Sequence, residues 1–600
     1  MKLKSVMGAA FFTLIFMTDI HAMVPKTKIS YTLTFPEAQA HYIDVHMALP
    51  ANGKAYVDLK MPVWTPGSYL VREFAKNVEG FAAKGRSGKM LASEKINKNT
   101  WRVQTGGQAE IHIDYRVYAF EISVRTSFVD AMHAFISSSG VFLYPDGGLA
   151  QPSTISIKPY KDWKTVSSGL ETSGNDPFVR YAPNYDILFD SPIEVGNQQV
   201  FTFEAAGVKH EVAMVGREVK FDADRLKKDM AKIVEEETAV FGENPNKQYT
   251  FIVHHYERGG GGLEHLNSTV LGASRNAYGR ESGYKGFLGL VAHEYFHLWN
   301  VKRLRPKALG PFNYDVENYT PNLWVAEGFT AYFDNMMVHR GGFHTAEEYL
   351  NVLAGDISRV ENTPGGRIQP LAEASFDAWI KYYRPNENSV NSGISYYDKG
   401  SLIAMLADLA IINATKGRKS LDDAMKTAYT EYYKKLGRGY TDAEFKSVLE
   451  NTAGIGLDDL YRYVNTTEAL DYNKYLGYAG YRMTDRNAGK DQPALGVRLS
   501  ASVQGKNVVT AVLRNSAAWT DGINVNDVIV SVNGRETDNI LTEMSGFKTG
   551  DKIKIGVIRD GLPLELDVTL KKDETKDFVI EQLPGANAAQ KDVAAKWLKL

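Results

Sequence analysis

The chain contains no cysteine. That absence excludes disulfides, thiol nucleophiles, thiolate-held metals and a lipid-bearing cysteine, so any metal must be bound through nitrogen and oxygen. An excess of one charge is also missing: 69 Lys and Arg stand against 71 Asp and Glu. With no long block of like charge, nucleic acid is not expected as a partner. No apolar run reaches the roughly 20 residues that a membrane span needs, and no internal repeat points to a solenoid.

At 600 residues the chain exceeds what one hydrophobic core supports, so several domains are expected. Lys2 and Lys4, the apolar run from Val6 to Met17 and then Ile20-His21-Ala22 outline a signal peptide over 1–22, hence export to the periplasm or beyond, with no transmembrane span after cleavage. From there to about 210 short alternating segments such as Tyr31-Thr32-Leu33-Thr34-Phe35 and Ile111-His112-Ile113-Asp114-Tyr115 are separated by turn signals such as Asn52-Gly53 and Pro66-Gly67. This is the pattern of an antiparallel β domain. Helical spacing then takes over in segments such as 224–241, 286–304, 322–340 and 399–414, which predicts a mostly α domain over 211–480. Short strands return over 490–575. The remainder, 576–600, reads as a tail, with Pro584 to Leu600 either a single helix or frayed. The fold class is therefore multidomain α+β.

The segment Val291-Ala292-His293-Glu294-Tyr295-Phe296-His297 carries H-E-x-x-H inside a helical pattern. At 3.6 residues per turn His293 and His297 stand on one face and can share a zinc ion, which leaves Glu294 beside the metal as a general base. Downstream, Glu327 is the lone carboxylate in the apolar run Trp324-Val325-Ala326-Glu327-Gly328-Phe329. A charge in such surroundings needs a partner, so Glu327 is the expected third ligand, with the fourth position open as in catalytic sites. Asp334, seven residues on, lies on the same face as Glu327 and either orients a ligating histidine or serves an ordinary surface or capping role. His254 and His255 have no ligand spacing and read as strand residues. In Gly259-Gly260-Gly261-Gly262-Leu263-Glu264-His265 the glycines alone indicate a loop of close approach and Glu264 an edge-strand carboxylate.

The phrase His293-Glu294-Tyr295-Phe296-His297-Leu298-Trp299-Asn300-Val301-Lys302-Arg303-Leu304-Arg305-Pro306, followed by Trp324 to Phe329, resembles the glycyl aminopeptidase family, PDZ-containing zinc aminopeptidases related to the alanyl aminopeptidases. Pro62-Val63-Trp64-Thr65-Pro66-Gly67-Ser68-Tyr69 is similar to that family too. The resemblance implies a thermolysin-like catalytic domain, one Zn2+ per chain and removal of an N-terminal Gly or Ala from peptides with a free N-terminus. It also implies that Gly262, Leu263 and Glu264 bind substrate, with Glu264 on the α-amine, and that Tyr397 in Ser395-Tyr396-Tyr397-Asp398-Lys399-Gly400 stabilises the oxyanion. The related proteins carry Asn where this chain has His265. Over Leu495 to Gly534 the sequence looks like a PDZ domain of the bacterial protease type, which either accepts a C-terminal peptide or protein ligand as an added strand or packs with its groove blocked. Two rival functions stand beside the aminopeptidase: a zinc endopeptidase directed by its PDZ domain, and a non-enzymatic peptide-binding protein.

Overall fold

The computed structural model describes residues 29–257, 259–501 and 507–600, so the expected signal peptide lies outside the described residues. Among the described helices none is long and apolar enough to cross a membrane.

The N-terminal region is built on an eight-stranded sheet and two four-stranded sheets. Strict alternation drives its folding: Tyr42–Pro50 and Glu110–Tyr118 bury every second residue and pair antiparallel along their whole length. The pairing is not wholly antiparallel, since Ile29–Thr34 runs parallel to Ser153–Lys158. Two segments so far apart in sequence are not joined by a hairpin, and nothing local fixes their relative direction.

The central region opens with a five-stranded sheet in the order Gln199–Ala205, Val208–Val215, Gln248–Tyr256, Ser268–Ser274, Gly262–Glu264. The boundary expected near 210 therefore moves. The strands Gln199–Ala205 and Val208–Val215 alternate like those before them, but the second pairs in parallel with Gln248–Tyr256 and so belongs with the helices that follow. Ala223–Phe241 starts at the Asp222 cap and stops at Gly242 in the left-handed conformation. The helix Glu281–Phe296 ends at Phe296, short of the expected Leu304. Beyond it the side-chain amide of buried Asn300 donates to the Val325 and Ala326 carbonyls. Those two bonds tie the non-helical stretch to the wide, π-helical turn Trp324–Phe329.

The PDZ-like region has its own core, including Val509, Ile529, Ile555, Val557 and Val568. It is an insertion: Tyr481–Asp485 pairs antiparallel with Phe578–Gln582, on the far side of it in sequence. Of the two alternatives for Pro584 to Leu600, the segment takes the helical one, and it docks. After that second strand, an Asn587/Gln590 capping box starts a helix, Ala588–Leu598. Its Val593, Ala594, Trp597 and Leu598 belong to the hydrophobic core of the central region. The Trp597 indole donates to the Tyr332 hydroxyl (3.1 Å). With only four buried apolar residues this helix has no core of its own, and its periodicity could not reveal the docking partner.

Candidate active site

The helix Glu281–Phe296 carries His293 and Glu294, and His297 caps its end. The Nε2 atoms of His293 and His297, one turn apart, are 3.2 Å from each other. Glu327, on the π-helical turn, brings Oε2 to 3.5 Å from His293 Nε2 and 3.2 Å from His297 Nε2. Gly328 permits the approach, because a side chain there would strike the Gly400 backbone at 2.6 Å. The same close packing sets the start of the helix Asp398–Ala414, and with it Tyr397, against the cluster.

The outer ring nitrogens are committed. His293 Nδ1 donates to Asp334 Oδ2 (2.8 Å) and His297 Nδ1 to the Asn300 carbonyl (2.7 Å), so the lone pairs of both Nε2 atoms face inward with the Glu327 carboxylate. Two imidazole lone pairs and a carboxylate converging on one point require positive charge there. Burial opposes ionisation of Glu327, but the two imidazoles outweigh it and hold the carboxyl at about 2. Burial likewise opposes charge on His293, while Asp334 and Glu327 outweigh it and raise its pKa well above the ordinary value: the cluster draws a positive charge, a proton on this imidazole or, in its place, a cation. The nitrogen-and-oxygen donor set, within 4.8 Å atom to atom, fits a divalent cation of the zinc type. A second trio, Glu264, Glu294 and His297, also falls within 4.8 Å. It shares the same inward-facing imidazole, so the two trios describe one centre with Glu264 and Glu294 on its open side.

Glu294 is buried, and burial pushes its carboxyl up to about 7 against the pull of His293 and His297. It lies against Gly262, where an added Cβ would collide with its Oε1. Its Oε2 has no hydrogen-bond partner.

Along the edge strand Gly262–Glu264 the residues alternate. Gly262 and Glu264 line a cleft of about 1200 Å³ that also contains His293, His297, Glu327 and Tyr397. Leu263, expected at the substrate, instead turns its side chain into a small core with Val124, Phe128 and Ile252, because successive strand residues face opposite ways. Glu264 is buried with Oε1 unpartnered. Gly67, at φ +83, lies against that carboxylate, where a Cβ would come within 2.5 Å of Oε1. His265 does not line the cleft; its Nδ1 and Lys302 Nζ both meet Asp190 Oδ1 (3.2 and 2.6 Å). His265 thus sits beside the buried Lys302–Asp190 ion pair, with its Nε2 unpartnered.

His254 and His255 lie in the strand Gln248–Tyr256. His254 Nε2 meets Glu194 Oε2 (2.9 Å) and His255 Nε2 the Tyr278 hydroxyl (2.7 Å). Several cleft residues were not singled out in the sequence: Arg72, Arg125, Tyr382 and Tyr383. Tyr383 is held by burial at about 12, and its hydroxyl donates to the Gly67 carbonyl (3.4 Å). No spacing could mark these residues, since the turns that carry them are far from the metal helix in sequence. For Gly67 the one available signal was the phrase Pro62 to Tyr69. That phrase is anchored by the fully buried Trp64, whose indole donates to the Asn313 carbonyl (2.8 Å) and packs edge-on against Trp379 (5.2 Å).

Comparison with known proteins agrees with this architecture. Residues 30–197 match the family model of the Peptidase M61 N-terminal domain, 286–403 that of the M61 glycyl aminopeptidases and 493–570 a PDZ domain. A crystal structure of an aminopeptidase N family protein from Idiomarina loihiensis superposes with a TM-score of 0.89 at 30% identity, covering 95% of this chain and 100% of that one. The periplasmic pH-dependent serine endoprotease DegQ of Escherichia coli is 32% identical over 87 residues, 14% of this chain. The match spans 19% of that relative's length.

Proposed function

The chain belongs to the M61 glycyl aminopeptidase family, and from that premise we propose that it is a zinc-dependent aminopeptidase that removes a small N-terminal residue, Gly or Ala, from peptides. The observation that carries this reading is the buried Glu264 carboxylate with an unpartnered oxygen, facing the same cleft as the convergent His293, His297 and Glu327. A carboxylate held dry and unsatisfied is costly unless a cation completes it. The α-ammonium of a peptide is such a cation, and internal segments of a chain lack it.

His293, His297 and Glu327 would hold one zinc ion. When bound, zinc supplies Lewis acidity that acidifies a water and polarises the scissile carbonyl. Glu264 anchors the substrate ammonium and so fixes which peptide bond lies beside Glu294. Glu294 accepts the proton of the attacking water on its free Oε2 and passes it to the nitrogen of the leaving amine. The Tyr397 hydroxyl, kept protonated by burial and by the negative charge of Glu327, donates a hydrogen bond to the oxygen on which charge develops. The PDZ region supports a second binding role, for an extended C-terminal peptide, through its outermost strand Val497–Ala501.

Turnover of matched free and N-acetylated peptides, with and without a chelator, tests the reading. Free-amine peptides should be cleaved, acetylated ones spared, and chelation should abolish cleavage until zinc is restored. Efficient cleavage of acetylated peptides would overturn the aminopeptidase reading in favour of an endopeptidase.

A further inference from the structure

Two guanidiniums from the N-terminal region, Arg72 and Arg125, line the catalytic cleft. Arg125 donates through Nη2 to the Gly262 carbonyl (3.0 Å) and Arg72 through Nη2 to the Ser68 hydroxyl (3.0 Å). The Nε of each is buried without a partner, and among the described residues neither arginine forms an ion pair with a carboxylate. Burial, and then the neighbouring charge of Arg125, pull Arg72 below the ordinary arginine value. Burial opposes the charge on Arg125 and Tyr383, Tyr397, Glu294 and Glu264 outweigh it, yet no described carboxylate meets either guanidinium, and their spare donors suit an anion that a ligand brings.

The edge strand indicates which anion. Gly262–Glu264 is the last strand of its sheet, paired only with Ser268–Ser274, so its other edge faces the cleft. A peptide whose ammonium sits at Glu264 and whose scissile bond lies beside Glu294, against Gly262, must run from Glu264 toward Gly261. At about 3.4 Å per extended residue, the carboxylate of a dipeptide falls about 7 Å from its amine, level with Gly262 and Gly261. Arg125 stands there: it grips the Gly262 carbonyl, and a Cβ on Gly261 would lie 3.7 Å from its Nη1. We propose that Arg125, reinforced by the charge of Arg72, is a carboxylate-binding site that selects very short peptides, dipeptides first, by their free C-terminus. The inference rests on the aminopeptidase reading for its direction along the strand. A cation that merely balanced Glu264 and Glu294 would affect every substrate alike, whereas a carboxylate site distinguishes an acid from its amide.

The test compares Ala-Ala with Ala-Ala amide in the zinc-loaded full chain. The intact enzyme should favour the acid in kcat/KM by about tenfold or more, mostly through KM. Arg125→Gln should lower the acid about ten- to a hundredfold more than the amide, while Arg72→Gln shifts that ratio less and in the same direction. Equal turnover of acid and amide by the intact enzyme would overturn the proposal. So would an equal fall of both in a folded Arg125→Gln. Calorimetric binding of a reduced-amide Ala-Ala analogue, as acid and as amide, to the intact protein and to Arg72→Gln decides the matter if Arg125→Gln does not fold or if no peptide is cleaved. Tighter binding of the acid supports the site and equal binding refutes it. Absence of turnover on free-amine peptides would remove the aminopeptidase reading and leave that binding comparison to judge Arg125 on its own.

Discussion

The two walls of the cleft are made in different ways. The metal wall, with His293, Glu294, His297, Glu327 and Asp334, comes from one stretch of chain in which helical turns bring ligands together. The opposite wall is assembled from a turn holding Gly67, a loop holding Arg125, the edge strand holding Glu264 and a turn holding Tyr383. Chemistry that needs a fixed donor geometry is built on local, repeating structure. The recognition of a substrate's ends proposed above would be built where separate regions meet, so it could change without disturbing the metal ligands.

Loss of the base should have the largest effect on turnover. Glu294→Gln removes the acceptor for the water proton but no ligand, and should cost about a thousandfold in kcat with stoichiometric zinc retained. A near-native rate in the zinc-loaded variant would send the base assignment elsewhere.

The metal wall should also prove less self-sufficient than its sequence implies. Tyr332, on the helix Thr330–Arg340 that carries Asp334, receives the Trp597 indole hydrogen bond from the C-terminal helix. Trp597→Ala should destabilise the protein by about 3–5 kcal/mol, read from denaturant unfolding, and loosen zinc with it. Excising the PDZ region between its flanking strands should instead leave that packing in place, whereas truncation after Gln492 would remove it. An unchanged unfolding midpoint for Trp597→Ala would mean that the last helix is an appendage.

Glu264→Ala acts on the other wall. The loss of a charge-assisted contact of about 1.5–3 kcal/mol should lower kcat/KM for free-amine peptides roughly ten- to a hundredfold. Zinc content should not change. Acetylated peptides, already poor, should change little, and an equal loss for both types would point to a role other than amine binding.

The smallest change, Gly67→Ala, sharpens the comparison most. Its Cβ would press on Glu264 from a position with φ +83, displacing the carboxylate without touching a zinc ligand. A fall of about tenfold or less in kcat/KM for free-amine peptides is expected, with zinc affinity intact. Zinc loss in this variant would show that the walls are coupled.

The sequence by itself determined the parts that depend on short-range repetition. The i, i+4 spacing of His293 and His297, the isolation of Glu327 in an apolar run and the alternation of strands such as Tyr42–Pro50 are legible because helices and strands impose fixed periods on a few neighbouring residues. The absence of cysteine limited the metal donors before any fold was considered. Tertiary structure alone decided the rest. It joined Val208–Val215 to the central sheet, turned Leu263 away from the cleft, docked Trp597 into the catalytic core and brought Gly67 and Arg125 to the edge strand. Each of these is a contact between segments distant in sequence, chosen by the packing of whole domains. A segment's own pattern records that it has a face to bury, but not what will cover it.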